Sequence, residues 1–317
     1  MKLKILLFIA LAILSTRAFA ASPASVLVDV VPPYPLPYED VQITFNSYAN
    51  NLDSVLISWF LNGKNVSAGI GKKSFSLKAP AAGAETTVVA KVSLPDGEVE
   101  KRIIIKSGVM ALLWQANDSY VPPFYRGKAL PTADSEVKIV AMPEIKGVSV
   151  TNMTYAWKKD YTNVADAGGY GKNFFIYTND YLDDSSTISV VATTLDGSSS
   201  SEASVSMGTA EPKINFYKND VNLGTVWERA LADGYRIQGP ETIVAIPYFI
   251  SPKELQHPSL IWNWSINDSS VNIFGFKKNI IPLQAQSGIS GTSKLKLQIE
   301  NSDKIFQTAS KEINLEF

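Results

Sequence analysis

Cysteine is absent from the 317 residues and histidine occurs once, at His257. Without cysteine, a disulfide framework and a lipid-anchored N-terminal cysteine are both excluded, so each folded unit must be held by its packed core alone. One imidazole and no thiolate leave too few nitrogen and sulfur donors for the usual zinc sites. An excess of charge is missing too, with 29 Lys and Arg against 30 Asp and Glu. Neutralising phosphates requires a basic face; only short Lys/Arg pairs occur, so no nucleic-acid partner is expected. The longest apolar run covers residues 5–14. Ten residues fall well short of the roughly 20 that span a bilayer, and no transmembrane helix is expected.

That run belongs to a targeting segment. Lys2 and Lys4 precede it, and Ala18-Phe19-Ala20 follows with the small residues that signal peptidase needs. Residues 1–20 therefore read as a cleavable signal peptide, cut after Ala20. Their loss removes Lys2, Lys4 and Arg17 and no acid, which moves the net charge from −1 to −4. The mature chain is expected outside the cytoplasm: extracellular, on the cell surface or in the periplasm. Its length suits about two to three domains, and a hydrophobic fraction of 45% is enough to give each a core.

The chain repeats itself at domain length. Gly69-Ile70-Gly71-Lys72-Lys73-Ser74-Phe75 matches Gly169-Tyr170-Gly171-Lys172-Asn173-Phe174-Phe175 and a more diverged Phe274-Gly275-Phe276-Lys277-Lys278-Asn279-Ile280. Upstream of each block an apolar segment ends in tryptophan, at Trp59, Trp157 and Trp264. Downstream, Val88-Val89-Ala90-Lys91-Val92 leads to Asp96-Gly97, and Val190-Val191-Ala192-Thr193-Thr194 leads to Asp196-Gly197. Glu136 to Pro143 matches Glu241 to Pro247, with Glu39 to Ile43 as the first counterpart. Several landmarks in one order make chance similarity improbable.

Each repeat is written in strands: short segments rich in Val, Ile, Thr, Tyr and Phe, bounded by Asn-Gly, Asp-Gly or proline-containing turns. Asn62-Gly63, Asp96-Gly97 and Asp196-Gly197 suit tight hairpins, because these residues tolerate positive φ. The run from Pro32 to Pro37 cannot donate to a central ladder and belongs at a sheet edge or an entry segment. Ser198 to Ser201 reads as a solvated loop after a hairpin. The one helical candidate is brief, around Thr225 to Ala232.

About 100 residues per unit, with strands every 8–12 residues and one tryptophan in an early central strand, are what a β-sandwich needs. On the Trp-centred strands and Asp-Gly hairpins, the units resemble the immunoglobulin-like and PKD-like domains that occur in tandem in secreted and surface proteins of bacteria. The chain departs from the PKD pattern after its tryptophans, with Phe60-Leu61-Asn62-Gly63, Lys158-Lys159-Asp160-Tyr161 and Ser265-Ile266-Asn267-Asp268, and it lacks antibody-type cysteines. The expected fold class is all-β: three tandem immunoglobulin-like sandwiches at 24–107, 108–208 and 209–317, following the signal peptide. Trp59, Trp157 and Trp264 then take core positions, and Trp262 shares the face of Trp264.

No residue set calls for catalysis, and no cofactor is expected. His257 sits between Gln256 and Pro258 in a loop-like stretch with no nucleophile motif nearby. Gly168 to Lys172 superficially suggests a phosphate loop, but it lacks the required spacing and a following helix, and its recurrence points to a structural turn. Asp180, Asp183 and Asp184, with Asn179, offer oxygens of the kind calcium takes, or a solvated turn; the cluster is absent from the other units. Tyr120, Phe124, Tyr125 and Trp227 either cover an interdomain seam or form a recognition patch, since exposed rings stack on sugars or anchor protein interfaces. Phe317 ends an alternating segment that suits a final sandwich strand.

These readings point to a non-enzymatic exported protein, acting as an envelope or surface scaffold, adhesin or appendage component that binds a protein or glycan. The alternative is a secreted polysaccharide-binding or glycoside-active protein.

Overall fold

The computed structural model describes residues 25–317 apart from Lys146, Asp183 and Ser287. The expected signal peptide at 1–20 and Asp183 of the acidic cluster lie outside the described residues. What is described is all-β, with strands and short 3-10 turns and no α-helix. Among the described residues no helix is long and apolar enough to cross a membrane.

By compactness the chain divides into two units. The first takes in the chain up to Met110 together with Pro143–Met153 and Ala192–Glu202; the second takes in Ala111–Met142, Thr154–Val191 and Ala203–Phe317.

The strands follow one plan three times. The first set is β1 (Leu27–Val31), β2 (Asp40–Asn46), β3 (Leu56–Leu61), β4 (Lys64–Ile70), β5 (Ser74–Lys78), β6 (Glu85–Leu94) and β7 (Gly97–Lys106). It forms one sheet ordered β1-β2-β5 and another ordered β4-β3-β6-β7. The second set is β8 (Val109–Ala116), β9 (Glu136–Glu144), β10 (Met153–Lys159), β11 (Thr162–Asn163), β12 (Gly169–Tyr170), β13 (Phe174–Thr178), β14 (Ser185–Thr194) and β15 (Ser200–Gly208). Its sheets are β13-β9-β8 and β11-β10-β14-β15, with β12 also on β10.

The third set is β16 (Lys213–Asp220), β17 (Gly224–Ala230), β18 (Tyr235–Arg236), β19 (Glu241–Tyr248), β20 (Leu260–Ile266), β21 (Ser269–Val271), β22 (Ile280–Leu283), β23 (Thr292–Asn301) and β24 (Thr308–Glu316). Its sheets are β17-β16-β19-β22 and β18-β24-β23-β20-β21. The protein is thus a tandem of immunoglobulin-like β-sandwiches. In each, the strand after the tryptophan strand stays in the tryptophan sheet, unlike the constant-type immunoglobulin arrangement, where the fourth strand joins the opposite sheet.

The tryptophans hold the sheets of each sandwich together. Trp59, Trp157 and Trp264 are essentially inaccessible. Trp59 lies 4.7 Å from the Phe45 ring and 5.3 Å from that of Phe75, both on the facing sheet. Trp157 meets Phe175 at 5.8 Å, and Trp264 meets Phe216 at 5.7 Å. Around them pack alternating inward residues such as Ile43, Ile57, Val88 and Val92 in the first core, and Ile243, Leu295, Leu297 and Ile299 in the last. Trp262 lies on the same face as Trp264 and is half-buried against this last core, with its indole nitrogen buried and unpaired.

Three expectations change. Thr225 to Ala232 is not helical: Gly224–Ala230 is β17, because it pairs with β16 and its Trp227 packs on Tyr217. The solvated loop after β14 ends sooner than expected, since β15 starts at Ser200 and Ser201 is buried. The β6–β7 turn is Pro95-Asp96, with Leu94 facing Gly97 across the ladder. Gly97, at φ 133°, opens β7. Residues 32–37 do follow an edge strand, β1, and Phe317 closes the last sheet by exchanging two backbone hydrogen bonds with Gly291.

Candidate functional site

The repeated Gly-Lys blocks have one structural task. The Trp59 indole donates to the Lys72 carbonyl at 2.8 Å, Trp157 to Lys172 at 3.0 Å and Trp264 to Lys278 at 2.9 Å. An indole N–H in a core needs a partner, and the block delivers a carbonyl to it. Gly71 and Gly171 turn the chain there at φ 71° and 70°. A Cβ at Gly71 would stand 2.9 Å from the Asp53 carbonyl oxygen. The glycine-rich motif is thus a turn that seats tryptophan. His257 is likewise tied locally, its Nδ1 2.8 Å from the Ser259 hydroxyl.

A second shared device closes the hairpin after each tryptophan strand. Asn62-Gly63, Asp160-Tyr161 and Asn267-Asp268 all have positive φ at both positions, the backbone of a type I′ turn. In each, the first side chain accepts from a backbone N–H of the neighbouring strand: Thr87 at 3.1 Å, Thr187 at 2.8 Å and Lys294 at 2.8 Å. The departures from the PKD pattern are therefore equivalent turns.

Of the four aromatic candidates, three enter one cluster. Tyr125 packs edge-on against Tyr248 and Phe249, each at 5.9 Å. The Tyr248 and Tyr217 hydroxyls are 2.8 Å apart, and Trp227 lies 5.5 Å from Tyr217. Tyr120 joins the same cluster and exchanges backbone hydrogen bonds with Phe249 and Ile250 at 2.8 and 2.7 Å. Burial, reinforced by the Tyr248 hydroxyl, pushes the Tyr217 phenol up to about 12; burial likewise raises Tyr120. Phe124 alone stands outside, 89% exposed.

The chain between β8 and β9 that carries Tyr120 and Tyr125 is pinned at further points. The Lys304 ammonium donates to Asp118 at 2.6 Å and to the Asp134 carbonyl at 2.7 Å. Gln307, wholly buried, donates to the Ala133 carbonyl and accepts from the Ser251 N–H and hydroxyl. This segment packs on the face of the β16–β19 sheet that carries Tyr217, Val244 and Ile246.

Two exposed apolar places that the sequence pattern did not mark lie elsewhere. Tyr181 and Phe306, from separate loops, stack at 4.6 Å with planes 10° apart. Each is 51% exposed, and the adjacent Leu182 and Ile305 are 74% and 71% exposed. Asp180 precedes Tyr181, Asp184 follows Leu182 by two residues and Asp303 precedes Ile305 by two, all three exposed. The second place is the connection from β21 to β22, where Phe274 and Phe276 are 95% and 81% exposed. They border an apolar groove of about 700 Å³ whose walls include Val271, Ile273, Ile281 and Pro282. The one signal available in advance was the placing of Tyr181-Leu182 and Ile305-Phe306 as adjacent apolar pairs within otherwise polar loops.

Within the acidic loop, Asp180 caps its own turn by accepting from the Leu182 N–H at 2.9 Å, and Asn179 is buried, donating to the Thr132 carbonyl. Among the described residues no three His, Asp or Glu side chains converge as a metal site.

No protein-family model matches the sequence, and no curated protein matches it. Several solved structures align with it at low scores. The fibronectin(III)-like modules of Clostridium thermocellum CbhA are 14% identical, cover 58% of this chain and 94% of their own, and give a TM-score of 0.28. Three N-terminal domains of the bacteriophage RB49 outer capsid protein Hoc are 9% identical over 92% of this chain and 98% of theirs, with a TM-score of 0.25. The Bacteroides ovatus mixed-linkage glucan utilisation protein SGBP-B, solved with a mixed-linkage heptasaccharide, is 12% identical over 91% of this chain and 70% of its own, with a TM-score of 0.24. At these scores the likeness says nothing of what this chain binds.

Proposed function

We propose that this chain is an exported, non-catalytic scaffold of the cell envelope or surface, built from three sandwiches at 24–107, 108–208 and 209–317, that presents apolar loop patches to a protein or glycan partner. The observation that carries the reading is the Tyr181–Phe306 pair with Leu182 and Ile305, four apolar side chains each at least half exposed on sandwich loops. Contiguous exposed apolar surface of this kind marks interaction sites, and aromatic side chains dominate the energetics of such contacts. Export is supported by the Lys2/Lys4, apolar and Ala-Phe-Ala pattern of residues 1–20.

The test is location followed by binding. Antibody to the mature chain should label intact producing cells or, after permeabilisation, the space beneath their outer boundary. A purely cytoplasmic signal would overturn the reading. The mature chain should then bind an envelope protein or polysaccharide, and Leu182→Ser with Ile305→Ser should weaken that binding roughly tenfold or more. Turnover of a glycoside by the purified chain would instead favour the glycoside-active alternative.

A further inference from the structure

The Tyr181/Phe306 place and the Phe274/Phe276 place carry opposite charge. The two chain segments that carry Tyr181, Leu182, Ile305 and Phe306 also carry the exposed residues Asp180, Asp184 and Asp303, each within three residues of one of them. The cation of that loop, Lys304, is already engaged by Asp118 and the Asp134 carbonyl. The loop surface is therefore acidic. The Phe274/Phe276 loop continues directly into Lys277 and Lys278, both exposed, with no acid in the sequence from Val271 to Pro282; the Lys278 ammonium donates to the Ile273 carbonyl at 2.9 Å and keeps its charge there. One place is apolar and acidic, the other apolar and basic, and they share no residue.

We infer that the occupant of the acidic patch is the Phe274-Gly275-Phe276-Lys277-Lys278 loop of a second copy of this chain. The inference rests on the reading of the chain as a non-catalytic scaffold and names its partner. Phe274 and Phe276 cover the stacked rings, Leu182 and Ile305, while the lysines meet Asp180, Asp184 and Asp303. Opposite charges at the rim of an apolar contact set register and exclude like pairings. Because the two surfaces differ, the contact is heterologous: a pair still has one free donor loop on one copy and one free acceptor patch on the other, so association propagates head to tail instead of ending at a symmetric dimer.

Sedimentation of the purified chain over a concentration series reads this directly. The weight-average mass should climb past that of two copies, and the climb should shrink as salt is raised, since screening shortens the reach of surface charges to roughly 10 Å at 0.1 M. Phe274→Ser with Phe276→Ser should leave a single-copy species, and so should Leu182→Ser with Ile305→Ser. All four side chains project outward, and an unchanged circular dichroism spectrum checks folding. Lys277→Glu gives a second, charge-only route to the same loss. Mixing the two double variants is the decisive arm. Each retains the surface that the other lacks, so the mixture should form one-to-one pairs and stop there.

A wild-type chain that stays single up to roughly millimolar concentration overturns the inference. So does association that survives in either double variant, or a mixture that fails to pair. A single-copy chain that floats with phosphatidylglycerol vesicles through Phe274 and Phe276 assigns the loop to a lipid surface instead. Failure on any of these counts, with binding to an envelope component retained, leaves the scaffold reading standing.

Discussion

Trp157 donates its indole N–H to Lys172 and packs its ring on Phe175, so substitution separates two losses. Trp157→Phe keeps most of the ring but strands the carbonyl, and should cost about 1–2 kcal/mol. Trp157→Ala also opens a cavity and should cost about 3–5 kcal/mol in the denaturant transition of the second sandwich. A Trp157→Phe variant as stable as the wild-type chain would show that the hydrogen bond, and with it the Gly-Lys block, contributes nothing. Tyrosines give a pH signature. Burial and the Glu241 carboxylate push Tyr235 up to about 12, and Tyr217 is raised as far, chiefly by burial. A phenol whose folded value exceeds its unfolded value of about 10 stabilises fully below that value and loses its contribution as pH rises towards 12. Resistance to denaturant should therefore fall between about pH 10 and 12, and Tyr217→Phe with Tyr235→Phe should flatten that fall.

The hairpin after each tryptophan strand makes a prediction for an element. Asp160 sits at φ 48° and its carboxylate accepts from the Thr187 N–H. Partial burial opposes ionisation of Asp160, but the Thr187 N–H and Lys159 outweigh it and hold the group below the usual carboxylate range. Asparagine offers the same oxygen and tolerates the same backbone, as Asn62 and Asn267 do in the sister turns. Asp160→Asn should change stability by less than about 0.5 kcal/mol, whereas Asp160→Ala loses the bond and takes on left-handed strain, costing about 1–2 kcal/mol. Urea titrations of both variants check the order. Tyr161 follows at φ 68°, a conformation uncommon for an aromatic, held by the β10–β11 pairing on either side.

For the molecule beyond single sandwiches, the decisive contacts are those of Gln307 and Lys304 with the segment between β8 and β9. Gln307→Leu would bury the Ala133 carbonyl and the Ser251 N–H without partners, a loss of about 2–4 kcal/mol. Because those bonds tie down the stretch carrying Tyr120 and Tyr125, the variant should be cut by protease within residues 117–135 under conditions where the wild-type chain is not. Equal cutting would mean that the aromatic cluster alone holds this segment.

Much of this architecture could be read from the chain because its signals are local. Alternation at period two, a tryptophan every 98 and then 107 residues and turn-forming dipeptides specify strands and hairpins from a few neighbouring side chains. The same alternation put Trp59, Trp157 and Trp264 in the core, where they lie. Local signals failed where distant surface chose the conformation. Gly224–Ala230 became a strand because β16 offered an edge, and Tyr161 accepts positive φ because the ladders around it fix the turn. Whether Tyr120, Tyr125 and Trp227 faced a seam or solvent depended on β19, more than a hundred residues beyond Tyr120. Tyr181 and Phe306 meet across 125 positions. Sequence by itself determined the strands, the repeat and the buried tryptophans, because secondary structure and burial periodicity are settled within a few residues. Only the tertiary structure decided which aromatics remain exposed and which charges surround them, because that follows from which loops converge once the cores have closed.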